Sequence, residues 1–111
     1  MDTTSTQNKQ AAEIAKLNDA ARSNAVNYMA TGGIMALDEM TISNIFFEVQ
    51  NFRSFTEEND PYGEHDFGLV EVQDRKVFWK IDYYDQQLKH GTDPLDPDCR
   101  RVVTIMLAEE Y

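Results

Sequence analysis

The apolar residues in the first part of the chain repeat with helical spacing. They recur three or four positions apart, at Ala11, Ile14, Leu17 and Ala21. This narrow stripe predicts a helix over about 8–24, which ends near Ser23 or, if it continues, at Gly32-Gly33. The preceding residues 1–7 are polar and rich in Ser and Thr, which predicts a flexible tail.

Two further apolar segments precede the middle of the chain. The short run at 34–37 follows the glycine pair, and we interpret it as a brief strand. Beyond it, helical spacing is clearest at Ile42, Ile45, Phe46, Val49 and Phe52. This spacing predicts an amphipathic helix over 41–53, with Thr41 as its N-cap.

The pattern becomes strand-like in the second half of the chain. Residues 66–72 and 76–84 are predicted to form an antiparallel hairpin with a tight connection at Asp74-Arg75. Alternation in the second strand places Val77, Trp79, Ile81 and Tyr83 on one face and Phe78, Lys80, Asp82 and Tyr84 on the other. The second face is half polar and half aromatic, which is typical of partial exposure.

The last apolar run, VVTIML at 102–107, is apolar on both faces. This pattern predicts a central strand buried on both sides, with a helix as the alternative. The segment 85–98 before it contains glycine and two prolines and is predicted to be an acidic loop.

These elements predict an α+β fold in the order helix, strand, helix, strand, strand, strand. Two helices pack on one face of a small, mostly antiparallel sheet, and 8–111 forms a single domain. The residues expected to be buried together are Trp79, Ile81, Phe46, Val49, Leu17 and Ile105.

Composition narrows the class of protein. The chain has 111 residues, 41% of them hydrophobic, and a net charge of −10. This charge excludes a basic nucleic-acid binder, because phosphate contacts need clustered Lys and Arg. The single cysteine cannot form an internal disulfide, and neither a signal peptide nor a membrane span is recognisable. We therefore expect a soluble, cytoplasmic protein.

The negative charge is concentrated in residues 57–98, which contain twelve acidic and four basic residues and carry −8 of the total −10. The ordinary interpretation of such a run is a solvated face. The functional interpretation is a surface that binds a basic groove, with carboxylates at the positions where phosphates otherwise bind.

The segment 55–68, FTEENDPYGEHDFG, holds the densest group of unusual residues. Asp60-Pro61 and Tyr62-Gly63 are turn dipeptides, which predicts an ordered loop. Glu64, His65 and Asp66 are potential metal ligands, but a site needs Asp60, Asp82 or His90 as well, and no HxxxH, HExxH or CxxC spacing is present. The competing interpretation is that Asp60 and Asp66 accept backbone hydrogen bonds in turns.

Three longer blocks, NDPYGEHDFG, FWKIDYYD and TIMLAEEY, resemble one small bacterial family, catalogued as domain of unknown function thirty-seven sixty-eight. The resemblance covers about 17–111 and is strongest from Phe55 onward. It implies a short cytoplasmic protein of a kind often found on plasmids and other mobile elements of proteobacteria. The family has no established activity, so the resemblance assigns a catalytic role to no residue.

The leading expectation is a non-enzymatic acidic protein-binding domain. It is expected to need no cofactor and to bind neither nucleic acid nor membrane directly. It is expected to inhibit a host nucleic-acid-handling defence complex, such as a CRISPR effector or a restriction enzyme, by occupying its basic nucleic-acid-binding surface. The residues expected to bind this partner are Glu57, Glu58, Asp60, Tyr62, Glu64, Asp66, Asp82, Tyr84, Asp85, Asp93 and Asp96.

Two alternatives remain open at this point. The first is a small metal-dependent enzyme built on Asp60, Glu64, His65, Asp66 and Asp82. The second is a general cytoplasmic interaction module without a link to defence. Converging side chains of Glu64, His65 and Asp66 favour the enzyme, whereas an acidic face without a pocket favours the binding domain.

Overall fold

A computed structural model describes the backbone of residues 3–111 and the side chains from Gln7 onward. The helices are α1 (Thr3–Arg22), α2 (Gly32–Met35) and α3 (Glu39–Gln50), and the strands are β1 (Tyr28–Ala30), β2 (Phe67–Val72), β3 (Arg75–Tyr84) and β4 (Arg100–Leu107). Short 3₁₀ turns at Ala25–Asn27 and Ala108–Glu110 complete the described elements. The predicted α+β class is confirmed.

The four strands form one mixed sheet in the order β1-β4-β3-β2. β1 runs parallel to β4, and the other two pairings are antiparallel. The predicted hairpin is confirmed as β2 and β3, and β4 is confirmed as a central strand. It is not buried on both sides as predicted, because on the face opposite the core only its Met106 is buried. The hairpin turn lies at Gln73 and Asp74, one residue earlier than predicted, and both residues have positive φ (52° and 64°), as a two-residue hairpin turn requires.

The core lies between one face of the sheet and the helices. Trp79, Ile81, Val49 and Ile105 are buried in it as predicted, and Phe46 packs partly buried against it. Leu17 was predicted in this core but is 37% exposed. The buried face of α1 carries Ile14 and Ala15 together with the polar residues Asn18 and Arg22. Of the predicted stripe, Ile14 lies on this face, whereas Leu17 lies beside it.

Helix α1 begins earlier than predicted. It starts at Thr3, so residues 3–7 of the predicted tail are helical, while residues 1 and 2 lie outside the described part of the chain. The segment contains no glycine or proline, and a helix that is already packed at its C-terminal half extends at small cost per residue. None of the helices within residues 3–111 combines the length and apolar character that a membrane-spanning helix needs.

The strand predicted at 34–37 is wrong. This region is the short helix α2, in which Ile34 is fully buried, and the first strand is β1, four to six residues earlier. A run of four apolar residues does not distinguish a strand from a helical turn. The carboxylate of Glu110 fixes this turn, because it accepts hydrogen bonds from the Thr31 hydroxyl and the Gly33 N–H.

Helix α3 confirms the amphipathic pattern but not its predicted bounds. It begins after Asp38 as N-cap and ends at Gln50. Thr41, predicted as the cap, is buried within the helix, and its hydroxyl donates to Gln73 Oε1 at 3.0 Å. Asp is a preferred N-cap residue, and Asp38 holds this position with an extended backbone, although its side chain makes no capping hydrogen bond.

Candidate functional site

Two acidic loops meet at one end of the sheet. The first acidic loop, 51–66, leads into the start of β2, and the second acidic loop, 85–99, connects the end of β3 to the start of β4. The pairings of β2 with β3 and of β3 with β4 place these three strand ends side by side. We call this region the acidic end. It contains all eleven residues predicted to bind a partner, with Asp82 and Tyr84 contributed by β3 itself.

The acidic end carries the whole net charge of the segment 57–98. Glu71 and Asp74 lie towards the other end of the sheet, but so do Arg75 and Lys76, and the four charges cancel. The remaining residues of the segment therefore still carry −8. The arginines outside the segment reduce this total without reversing its sign, and the side chain of Arg22 is buried.

A fully buried asparagine of α1 connects the two acidic loops. Asn18 Nδ2 donates to the backbone oxygen of Glu64 and to the Tyr83 hydroxyl, both at 2.9 Å. Its Oδ1 accepts from Arg101 Nε at 2.7 Å, and the same arginine donates to the Pro94 backbone oxygen. The chain of hydrogen bonds runs from the first acidic loop through Asn18 and Arg101 to the second. The relative position of the two loops is thereby fixed.

Arg22, one turn further along α1, anchors the start of the first acidic loop. Its guanidinium donates to the backbone oxygens of Val49 and Phe52 and pairs with Asp19 at 3.0 Å. It also lies 5.0 Å above the ring of Trp79. A buried charge needs such partners, so Arg22 serves the packing of α1 against the loop and the core.

His65 lies between two carboxylates. Its Nδ1 is 2.9 Å from Asp19 Oδ1, its Nε2 is 3.6 Å from Asp60 Oδ2, and its ring stacks on Phe55 with 3.8 Å between centroids. Both ring nitrogens face an acid, and a general base needs a nitrogen within reach of a substrate proton. This arrangement favours a structural role in attaching the first acidic loop to α1.

Several aspartates of the acidic loops accept backbone hydrogen bonds within turns. Asp60 accepts from the His65 N–H, Asp85 from Lys89, Asp93 from Leu95 and Asp96 from Asp98. The Gly63 N–H also donates to the Asp60 backbone oxygen, which confirms the predicted turn at Pro61 to Gly63. These bonds explain why short aspartate side chains predominate in the second loop, and they hold the carboxylates in fixed positions.

Other carboxylates of the acidic end lie close together and are partly desolvated. Burial is the main cause that raises the pKa of Glu64, and Asp66 and Asp60 add to it. Burial likewise raises the pKa of Asp66, with Asp60 and Asp82 contributing, although its own backbone N–H and His65 act in the opposite direction. Like charges are thus held together at a cost in free energy.

The most accessible residues of the predicted site lie on the loop surfaces. Glu57, Glu58, Asp93 and Asp96 are exposed, and Tyr62 is 80% exposed. Tyr62 borders an open groove of about 390 Å³ that lies between the first acidic loop and α1. These side chains are available for contact with a large partner.

We expect opposite effects of two substitutions in the first acidic loop. Asp60→Ala should lower the free energy of unfolding by about 1–2 kcal/mol, because it leaves the His65 N–H without its acceptor. Asp66→Asn should raise the midpoint of thermal unfolding at pH 7, because it removes a desolvated charge next to other carboxylates. Thermal unfolding followed by circular dichroism measures both.

The pH dependence distinguishes the cause of the Asp66 effect. The pKa of Asp66 is raised in the folded state, so the folded protein binds more protons than the unfolded chain around that pKa. Its contribution to stability therefore falls as pH rises through this window, and the gain from Asp66→Asn should shrink at pH values below it. If Asp66→Asn loses as much stability as Asp60→Ala, the Asp66 carboxylate makes a hydrogen bond that stabilises the fold, and this prediction is wrong.

Neither a metal centre nor a reactive thiol finds support in the side-chain geometry. Within residues 3–111, no three His, Cys, Asp or Glu side chains are arranged to hold a metal ion. Burial raises the pKa of the Cys99 thiol and outweighs the opposing effect of Arg101. A nucleophilic cysteine needs the opposite shift.

The residues that organise the acidic end were missed by the sequence analysis. Asn18, Asp19 and Arg22 are polar, so a search for apolar periodicity ignores them, and no motif in the sequence singles out Arg101. The available signal is the spacing of Ile14, Asn18 and Arg22 at i, i+4 and i+8, which places them on one face of a helix.

Comparison with known proteins agrees with the blocks noted in the sequence. Neither the curated proteins nor the solved structures contain a significant match to this chain. The family described as Protein of unknown function (DUF3768) matches residues 30–110. The match begins after α1, at the last residue of β1, and includes α2, α3 and β2 to β4. The resemblance noted from residue 17 is therefore confirmed from residue 30. Because the match spans well over half of the sequence, the chain belongs to the DUF3768 family.

Proposed function

We propose that this protein is a non-enzymatic acidic binding domain whose acidic end binds a basic, nucleic-acid-binding surface of another protein or nucleoprotein complex. The observation that carries the proposal is the hydrogen-bonded connection of both acidic loops through Asn18 and Arg101. A merely solvated face does not need its loops in a fixed relative position. A surface that matches a row of phosphate-binding sites needs loops in a fixed relative position, because electrostatic complementarity depends on where the charges lie.

The internal bonding of the loops supports the same function. Aspartates that accept backbone hydrogen bonds in turns have little rotamer freedom left to lose, so a partner that binds them pays a smaller entropic cost. Exposed Glu57 and Glu58 supply long-range attraction, and exposed Tyr62 supplies an aromatic contact of the kind enriched at protein interfaces.

The partner class follows from the charge and from the resemblance to proteins of mobile elements. A cytoplasmic defence complex that handles nucleic acid, such as a CRISPR effector or a restriction enzyme, has the basic surface that the acidic end complements. The protein then acts as a DNA mimic, with anti-CRISPR or antirestriction activity. A general interaction module uses the same surface and differs only in the identity of its partner.

The metal-dependent enzyme is the weaker candidate. Its proposed ligand His65 is engaged by Asp19 and Asp60, and within residues 3–111 no three potential ligands are arranged to hold a metal ion. The half-buried positions of Glu64 and Asp66 follow instead from the attachment of the first acidic loop to α1.

We expect removal of two exposed charges at the acidic end to slow association with the partner several-fold. The variant is Glu57→Gln with Glu58→Gln, and the control is Asp74→Asn with Glu109→Gln at the opposite end of the sheet, which removes the same charge. Exposed charges mainly steer encounter, so the dissociation rate should change less than the association rate.

The partner is obtained by capture from a host lysate on immobilised protein, and rate constants are then measured by surface plasmon resonance at two salt concentrations. Binding should weaken as salt rises, because exposed charges are screened over about 8–10 Å. Added duplex DNA should compete with the acidic end for the captured protein. Equal binding by both variants, indifferent to salt and to DNA, would contradict the proposal.

A further inference from the structure

The edge strand β2 has unused backbone hydrogen-bonding groups. The Ile81 N–H donates to the Asp66 backbone oxygen at 2.9 Å, and residues 66 and 81 lie opposite each other in the register of the hairpin. Directly bonded pairs alternate along an antiparallel ladder. Gly68, Val70 and Val72 therefore bond to β3, and the N–H and C=O groups of Phe67, Leu69 and Glu71 point away from it.

Nothing else within residues 3–111 bonds to these outward groups, since β2 pairs only with β3. Edge strands are normally protected by proline, lysine, a bulge or a covering segment. The sequence of β2, FGLVEV, contains no proline or lysine, and its pairing with β3 is continuous. Glu71 is its only charged residue.

The sheet face opposite the core carries an apolar patch next to this edge. The side chains of Phe67 and Leu69 lie on the face opposite the core, and Leu69 is 44% exposed. Phe67 and Phe78 form an aromatic cluster there with Tyr111. An apolar surface beside an open edge is suited to contact with another sheet edge.

We propose that β2 pairs antiparallel with β2 of a second copy of this chain, so that the two sheets become one continuous sheet. A register centred on Leu69 is the one in which all the outward groups pair. Leu69 then bonds to Leu69 of the other copy, and Phe67 bonds to Glu71. The interface is self-complementary, as a twofold interface requires.

Charge favours the antiparallel arrangement despite the net charge of −10 per chain. A strand advances about 3.3 Å per residue, so the six residues of β2 separate the two acidic ends by roughly 20 Å. This distance is about twice the screening length at physiological salt. At the other end of each β2 the charges of Glu71, Asp74, Arg75 and Lys76 cancel, so the acidic start of one copy lies beside an end of the other copy without net charge.

Sedimentation velocity of the complete chain at about 150 mM salt tests the proposal without any partner, independently of the proposed function. The wild-type protein should change from its monomer mass of 12.8 kDa to twice that value as its concentration rises into the range of about 10–100 μM. Leu69→Lys should weaken the dimer at least tenfold, because two like charges meet on the twofold axis.

Met29→Lys is the matched control, because Met29 is an exposed apolar residue on the same face of the other edge strand, β1. It adds the same charge and should leave the dimer unchanged. Leu69→Pro removes an N–H that the monomer does not use and should also yield folded monomer. Circular dichroism checks that each variant folds.

A cross-link tests the register itself. Directly bonded residues of an antiparallel pair have Cα atoms about 5.5 Å apart, within the range of a disulfide. Leu69→Cys in a Cys99→Ala background should therefore form a covalent dimer on oxidation, whereas Met29→Cys in the same background should not. A wild-type protein that stays monomeric at about 500 μM, or equal cross-linking at both positions, would overturn the proposal.

Discussion

Replacement of Trp79 by alanine should lower the free energy of unfolding by about 3–5 kcal/mol, the range found for large aromatic residues in protein cores. Trp79 is fully buried, and its ring contacts Phe52 and Phe55 edge-on. The cavity also removes the aromatic face beneath the guanidinium of Arg22. Urea unfolding followed by circular dichroism measures the loss, because the variant lacks the only tryptophan.

Phe78→Ala is the control for this prediction. Phe78 is the next residue of β3 and lies on the opposite face of the sheet, where it is only partly buried. Its truncation should cost clearly less than that of Trp79. A larger loss in Phe78→Ala than in Trp79→Ala would mean that the core lies on the other face of the sheet.

Replacement of Asn18 by leucine should lower the free energy of unfolding by about 2–3 kcal/mol. The side chain keeps a similar volume, but the Glu64 backbone oxygen, the Tyr83 hydroxyl and Arg101 each lose a hydrogen-bond partner. Partly buried polar groups without partners cost about 1–3 kcal/mol. Hydrogen exchange measured by mass spectrometry should show faster exchange in both acidic loops.

The neighbouring residue supplies the control. Leu17→Ala changes an apolar residue of the same helix that lies on its exposed side, and it should leave exchange in both loops unchanged. Unaltered exchange in Asn18→Leu would mean that the two loops hold their positions without α1, and the proposed function would lose its supporting observation.

The strands were predictable because their information is local. The alternation from Val77 to Tyr84 identifies a strand without knowledge of its partners, and the partly β-branched apolar run of β4 favours a strand over the helix that remained as the alternative. The position of β1 was not predictable in this way. Its three residues become a strand only because Tyr28 and Ala30 lie beside Val103 and Ile105 of β4, 75 residues later in the chain.

The sequence predicted which residues form the candidate site but not the contacts that hold them in place. Counting charges located the acidic loops, and turn chemistry assigned Asp60 its backbone bond. The contacts of Asn18 with Glu64 and Arg101 join segments that are distant in sequence. Such contacts depend on tertiary structure, and no local pattern encodes them. Helix α1, which supplies Asn18, also lies outside the region matched by the family.

The hydrogen-bonded connection between the two acidic loops determines how the protein should be stored and used. Folding brings the carboxylates of these loops close together, and their mutual repulsion lowers the stability of the folded protein. Added salt screens this repulsion and therefore stabilises the free protein. The same screening weakens attraction to a basic partner. The storage buffer that best preserves the purified protein is therefore the one in which a complex dissociates most readily, and capture of a partner belongs at low ionic strength.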